Sequence, residues 1–429
     1  MERLDAVAAI YRVATLIADW FPPMRMKWYR AADLDASITL GDGRSIGIIR
    51  QGQMSDRSPF AKRLGRLRHG MMPGGLIVLT QDEIRRRHTR RMMYTERVPT
   101  FVGIESETIF AGPDDRIWQM PSGNAKIDMA AVLRQISRFG SLPAEAPLMK
   151  VYPPIHLNTD LSLDRISPRH LPAAFHPADK RALDLIGDWP GIKYINLRRL
   201  MGVSPSRLSQ VMGRLKAAKA VQQLHLDGRR IALSNAGVGL LARRDRSSVG
   251  AARQRWSVMP VDPALPYDWE NISGSRARQL LRNSEHTDAV HRFLADTVER
   301  ARDEGWEIVQ LDPPQRASRY FSYQGAVRAI NPDAFVMMRR GREVKAFFLE
   351  WERRAIRPST MRERLAPYIR YYSTDRPRDD HGFTPEVLIV VEDEVTAANF
   401  RQLVKQIRSS QPQLPIDIAV PLGSFRLRC

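Results

Sequence analysis

The sequence predicts a multi-domain α/β protein in which two copies of one α/β module flank a helical segment. Three observations carry this expectation. First, one pattern occurs twice, about three hundred residues apart. Asp35 opens the run ASITLGDGRSIGII that leads to Arg50, and Asp333 opens AFVMMRRGREVKAFFL, which leads to Glu350, Trp351 and Glu352. Second, each copy continues into a basic amphipathic helix, FAKRLGRLR and MRERLAPYIRYY, and then into an apolar strand with an acidic patch, GLIVLTQDE and VLIVVEDE. The spacing from Ile49 to Arg63 equals that from Glu350 to Arg364, so the copies align here without gaps. Third, the C-terminal region alternates strand, helix and strand, which expects a mixed, partly parallel sheet flanked by helices.

Taken in order, residues 4–20 read as an amphipathic helix, because Leu4, Val7, Ile10, Tyr11, Leu16 and Ile17 are spaced for one face. Strands follow around 34–40 and 45–50, joined by the hairpin signal Gly41-Asp42-Gly43. A helix over 58–69, a strand at 75–79, the very basic helix EIRRRHTRRM, strand-like segments at 100–110 and a helix over 126–139 complete a first module at 1–142. Residues 143–177 are proline-rich and read as a connector. Within 178–245, one helix begins after His176-Pro177, a short one covers INLRRLMG, and a third is capped by Ser204 with Pro205 in its first turn. VQQLHL and RRIALS then form a hairpin about Asp227-Gly228, and NAGVGLLARRD closes the segment. Residues 246–275, with mixed Pro, Ser and Gly, read as a second connector. The last module, 276–429, is expected to hold a helix over 276–303, the strand WEIVQL, the Asp333 to Glu352 core, a helix over 359–372, a strand at 386–391, a helix over 395–409 and a final strand PIDIAVPL.

Composition narrows the function classes. The 429 residues are 43% hydrophobic, enough for ordinary cores, and carry a net charge of +20. A chain this basic expects an anionic partner, nucleic acid first. The single cysteine, Cys429, excludes an internal disulfide or a Cys-based metal site. The N-terminal stretch lacks the basic region and long apolar core of a signal peptide. No segment approaches the roughly 18 apolar residues of a membrane span. The expectation is a cytoplasmic protein with no membrane partner.

Three helices and a β-hairpin in the order of 178–245 make a winged-helix, helix-turn-helix arrangement. Its third helix would enter the major groove of double-stranded DNA. Ser206, Arg207, Gln210, Arg214 and Lys216 are placed to reach bases or phosphates, while Leu208, Val211, Met212 and Leu215 sit at core spacing. Arg229 and Arg230 at the hairpin would contact the phosphate backbone. The densest basic run, with Arg86, Arg87, Arg90 and Arg91, reads as a phosphate-tracking helix face.

Asp333, a hairpin, and then Glu350-x-Glu352 resemble the restriction-endonuclease-like, PD-(D/E)XK-like core. In that core clustered carboxylates hold Mg²⁺ and a lysine helps to activate water. Strand alternation puts Glu350 and Glu352 on one face, within reach of Asp333. Asp333, Glu350 and Glu352 are therefore the candidate catalytic residues, with Asp333 and Glu350 as the candidate metal ligands. The departure is at the lysine position, which holds Glu352. Lys345 faces away by parity, and Arg353 and Arg354 stand close enough in sequence to pair with the carboxylates instead. In the first copy Asp35 remains, but Ile49-Arg50-Gln51 replaces the acidic pair, leaving a degenerate module without a metal site.

A helical module of this kind, then SRARQLLRNSEHTDAVHRFL, Pro332-Asp333 and Phe347-Phe348-Leu349-Glu350-Trp351-Glu352-Arg353, resembles the replication-relaxation family of plasmids and integrative mobile elements over about 178–410. That family also places an acid at the nuclease lysine position, usually Asp where this chain has Glu352. The resemblance implies a DNA-binding protein acting in replication, relaxation or mobilisation (conjugation) of such an element, without catalysis of its own. Its partners would be DNA, other replication or transfer proteins of the element, and a second copy of the chain in a homodimer. The alternatives are a Mg-dependent DNA nuclease or nickase using the C-terminal carboxylates, and a winged-helix transcriptional regulator.

Overall fold

The computed structural model describes residues 4–21, 24–29, 33–51, 58–93, 98–144, 174–224, 229–245, 247–352, 358–410 and 414–420. The fold is mixed α/β and divides into two compact units. Residues 1–160 with 244–247 form the first, and 161–243 with 248–429 the second.

In the first unit, α1 (Leu4–Ala18) precedes β1 (Met24–Trp28), β2 (Ala36–Leu40) and β3 (Ser45–Arg50). Next come α2 (Ser58–His69), β4 (Gly75–Thr80), α3 (Glu83–Met92) and β5 (Thr100–Ile104). The strands β1, β2 and β3 pair antiparallel, and β3, β4 and β5 pair parallel. The continuous apolar runs of β3 and β4 fit strands covered on both faces, and every residue of both is buried. Gly43, at φ +86°, supplies the left-handed turn between β2 and β3. Residues 100–110, expected as strand throughout, leave the sheet after Ile104. The segment ESETIF forms α4 (Glu105–Phe110), where Thr108 Oγ1 donates to the Ile104 carbonyl at 2.8 Å. Short strands β6 (Trp118–Gln119) and β7 (Lys126–Ile127) extend the sheet, and α5 (Met129–Gln135) is shorter than expected. The connector residues 145–173 lie outside the described residues.

The second unit begins with three helices, α6 (Pro177–Asp188), α7 (Tyr194–Met201) and α8 (Pro205–Ala217). A small sheet of β8 (Ile192–Lys193), β10 (Arg230–Leu233) and β9 (Val221–Leu224) and the helix α9 (Asn235–Arg244) complete this part. Ser204 caps α8, its hydroxyl accepting from the Arg207 N–H. The stretch 246–275, expected as a connector, carries α10 (Val249–Trp256) and a 3-10 turn (Trp269–Asn271). Val258 and Ile272 are buried there against Leu224 and Leu281, so apolar residues among the prolines hold the stretch in place.

The helix expected over 276–303 breaks at Asn283 into α11 (Ser275–Arg282) and α12 (Ser284–Asp303). After β11 (Glu307–Asp312) and α13 (Pro314–Ala317) comes a separate two-stranded ribbon, β12 (Arg319–Tyr323) and β13 (Ala326–Ile330). Then follow β14 (Ala334–Arg340), β15 (Glu343–Glu352), α14 (Pro358–Tyr372), α15 (Arg376–His381), β16 (Glu386–Val391), α16 (Glu394–Ser410) and β17 (Ile416–Ala419). In this sheet β11, β14 and β15 pair antiparallel, and β15, β16 and β17 pair parallel. The strand directions and order repeat those of β1 to β5, so the internal repeat seen in the sequence is a repeat of sheet topology.

One face of the second sheet shares a core with the three-helix part. Val336, Met338, Phe347, Leu349 and Trp351 pack with Phe293 and Leu294 of α12 and with Ile186, Leu200 and Leu215 of α6, α7 and α8. Arg302 of α12 donates to the carbonyls of Arg199 and Leu200, capping the end of α7. His291 of α12 stacks edge-on against Trp189 at 5.6 Å. Burial lowers its pKa from 6.5 to about 4. It therefore stays neutral in the folded unit while the unfolded chain protonates. Stability should fall as pH drops from about 6.5 towards about 4, and His291→Leu should flatten that part of the curve, as read by urea unfolding at stepped pH.

Candidate nucleic-acid interface and acidic pocket

The helix α8 presents two faces. Leu208, Val211, Met212 and Leu215 are buried, as their spacing predicted. The other face exposes Ser206, Arg207, Gln210 and Lys216, with Gly213 open between them. Arg207 Nη1 donates to Gln210 Oε1 at 3.2 Å, which holds both polar ends on one outward stripe. Arg229 is exposed beside β10, while Asp227 and Gly228 lie outside the described residues.

Two members of the expected interface serve inward bonds instead. Arg214 makes a bidentate pair with buried Asp179 of α6, its Nη2 at 2.7 Å from Oδ1. Arg230 is buried and pairs with Asp288 of α12, Nη2 lying 2.6 Å from Oδ2. Leaving either acid unpaired would be costly, so these arginines fasten α8 to α6 and β10 to α12. In the basic helix α3 of the first unit, too, several arginines bond within the protein. Arg86 is buried and pairs with Glu83 and Glu107. Arg87 pairs with Glu83 at 2.6 Å, and Arg90 donates to the Met120 carbonyl at 2.9 Å. Arg91 is exposed and contacts His88. A dense arginine run does not reveal from sequence how many of its members turn inward.

The acidic residues of the second unit meet where β14 and β15 open apart. The Asp333 N–H donates to the Leu349 carbonyl at 2.8 Å, and the Trp351 N–H donates to Asp333 Oδ2 at 2.8 Å. Glu350 and Glu352 share the face opposite Trp351, as alternation requires. Each carboxylate has a protein partner. Asp333 Oδ1 shares a hydrogen bond of 2.9 Å with His286 Nε2 of α12. The Tyr368 hydroxyl of α14 donates to Glu350 Oε1, and Arg364 Nε lies 3.4 Å from Glu352 Oε2. Lys345 points away, 3.5 Å from Glu343 and over the Trp306 ring at 4.9 Å. Arg353 and Arg354 lie outside the described residues. Sequence reading missed His286 and Tyr368 as pocket residues, because both come from helices whose packing no local spacing reveals.

Burial pushes the Glu350 carboxyl up to about 8, and the charge of Asp333 adds to the effect. Burial and Glu350 together raise the Tyr368 hydroxyl well above its ordinary value, so it keeps its proton. The pocket is thus held by a neutral carboxyl, a phenol, a histidine and an arginine. Among the described residues no group of three His, Cys, Asp or Glu side chains converges to hold a metal ion. Asp333, Glu350 and Glu352 each direct an oxygen at a protein donor.

The first unit repeats the geometry with different charges. The Asp35 N–H donates to the Ile48 carbonyl at 2.8 Å, and Asp35 Oδ2 accepts from the Arg50 N–H at 2.8 Å. Arg63 lies 2.6 Å from Asp35 Oδ2, and Arg50 Nε lies 3.4 Å from Oδ1. All three side chains are buried, so two arginines neutralise the one retained acid.

Residues 196–387 match the family model described as Replication-relaxation, a span that includes α8, Asp333, Glu350 and Glu352. No curated protein and no solved structure gives a significant match to the chain.

Two outcomes follow from these charges. Glu350 is protonated in the folded unit at neutral pH, whereas the unfolded chain ionises above about 4.5. Stability should therefore decline as pH rises from 4.5 to about 8. Glu350→Gln keeps the bond from Tyr368 and should gain over the parent across that window, by on the order of 2 kcal/mol at its upper end, measured by denaturant unfolding. Arg63→Met leaves Asp35 with an incomplete buried partner set and should destabilise the chain by about 3 kcal/mol, measured as a lowered unfolding midpoint.

Proposed function

We propose, taking the replication-relaxation match over residues 196–387 as the premise, that this chain is a DNA-binding protein of a plasmid or integrative mobile element. It acts in replication, relaxation or mobilisation without cutting DNA itself. The part at 178–245 is a winged helix, and 1–142 and 276–429 are two restriction-endonuclease-like modules on either side of it in sequence. The observation that carries the reading is the outward stripe of Ser206, Arg207, Gln210 and Lys216 on α8, backed by a buried face that fixes the helix. An exposed helix with Arg and Gln one turn apart can read guanine and adenine edges in a major groove. The net charge of +20 supplies attraction to phosphate. Double-stranded DNA is the first partner; replication or transfer proteins of the element and a second copy of the chain come after it.

The pocket argues for binding over cleavage. A metal-dependent nuclease needs ionised carboxylates free to take a cation and a lysine near the attacking water. Here Glu352 occupies the lysine position, and each acid has a protein donor.

Supercoiled plasmid mixed with the purified chain and Mg²⁺ or Mn²⁺ should be bound and left intact. Nicking that disappears in Asp333→Ala would establish the nuclease instead. Arg207→Ala and Gln210→Ala should each weaken DNA binding by about 1–3 kcal/mol in a gel-shift titration, with unchanged circular dichroism. Preference for one operator site, lost in these variants, would identify a transcriptional regulator.

A further inference from the structure

From Trp189 to Val261 the chain carries fourteen Lys and Arg residues against two acids, Asp227 and Asp245. No acid lies in α8, α9 or α10. A surface of one sign raises the local potential and favours an anionic partner.

Backbone contacts arrange the exposed cations of these helices along one line. Lys216 and Lys219 are exposed at the end of α8. Lys219 adopts the left-handed conformation, φ +53°, and turns the chain there. Its carbonyl accepts from Ser234 Oγ at 2.5 Å, which seats the start of α9 against the end of α8. Gly237 permits this approach, since a Cβ there would lie 2.1 Å from the Ala220 carbonyl oxygen. One residue beyond Ser234, the Asn235 carbonyl accepts from Arg253 Nε of α10 at 3.3 Å. Arg253 thus lies along α9, over buried Gly239. A Cβ at Gly239 would be 3.7 Å from Arg253 Nη2 and 3.8 Å from Arg243 Nη1. Two exposed guanidinium groups therefore converge on one point of α9, and among the described residues neither has an acidic partner.

Like charges held this close repel when nothing lies between them. A phosphate accepts from two guanidinium groups at once and removes that repulsion. The line of cations starts at Lys216, which belongs to the outward stripe of α8, and in a DNA complex the phosphates flank the groove that a reading helix enters. We propose that Arg243 and Arg253 form a phosphate clamp, which grips the DNA backbone on the flank of the groove that α8 enters, with Lys219 between the clamp and the stripe. The proposal rests on the DNA-binding reading above and adds to it a contact that positions the duplex without reading its sequence. It gives the stretch 246–275, which has the composition of a linker, a share in the interface through α10.

The test uses the full chain and two mixed-sequence duplexes, one AT-rich and one GC-rich, titrated over a series of salt concentrations. Arg243→Ala and Arg253→Ala should each lower the slope of log affinity against log salt by about one, and the double variant by about two. The loss of affinity should be the same on both duplexes. Unfolding midpoints should be unchanged, because both side chains are exposed. Arg339→Ala removes the same charge from an exposed arginine that pairs with Glu307, and it should leave the slope as in the parent. Parent binding with an unaltered slope in the double variant overturns the clamp alone. So does an equal effect from Arg339→Ala, which would assign the salt dependence to net charge, or a loss confined to one duplex, which would make these arginines base readers. A parent that binds neither duplex overturns the DNA-binding reading with it.

Discussion

Both sheets depend on one backbone constraint, the clasp formed by an aspartate at the mouth of a β-hairpin. Asp35 and Asp333 each donate an N–H to a carbonyl on the opposite strand and accept the N–H two residues further along it. At this point the second strand gives up its antiparallel neighbour while it keeps a parallel one on its other side. The backbone groups left over would otherwise be unpaired near a buried core, and a carboxylate is a strong acceptor for such an N–H. The aspartate therefore has a structural reason to stand in both copies, whatever chemistry surrounds it. The neighbours differ instead: Arg50 and Arg63 in one unit, His286 in the other.

Much of this was legible in the sequence, where local periodicity and long-range partner agree. The apolar runs GLIVLT and EVLIVV are strands because no solvent-facing alternation interrupts them. EIRRRHTRRM is a helix with Asp82 as its cap. The matched spacing of Ile49 to Arg63 and Glu350 to Arg364 gave the right register, since Arg63 reaches Asp35 and Arg364 reaches Glu352. Other features were hidden for physical reasons. The strand β1, MRMKW, is short, lies at a sheet edge and buries none of its residues fully, so no apolar run marks it. The ribbon turns on Gln324-Gly325, a weaker signal than Asn-Gly. The stretch 246–275 has the composition of a linker, yet buries Val258 and Ile272. Pocket membership of His286 and Tyr368 is a tertiary fact, as is the inward turn of Arg86, Arg214 and Arg230.

The two copies handle a buried negative charge by different means. In the first, two guanidinium groups oppose Asp35. In the second, Glu350 is kept neutral by desolvation and by its neighbour Asp333. A site of that second kind remains responsive: what approaches it can change how many protons it holds. The two sheets thus surround the same aspartate with different partners.

The core that joins α6, α7 and α8 to the inner face of the second sheet has a thermodynamic consequence. Phe293 of α12 contacts Trp351 at 5.7 Å on one side, and α12 packs on α7 on the other. Residues from the sheet and from α8 belong to a single contiguous apolar cluster. Neither part can melt without exposing apolar surface of the other, so they should lose structure in one cooperative step. Damage to the sheet's interior would then reach α8 as a smaller folded population, with no change at any residue of its exposed stripe.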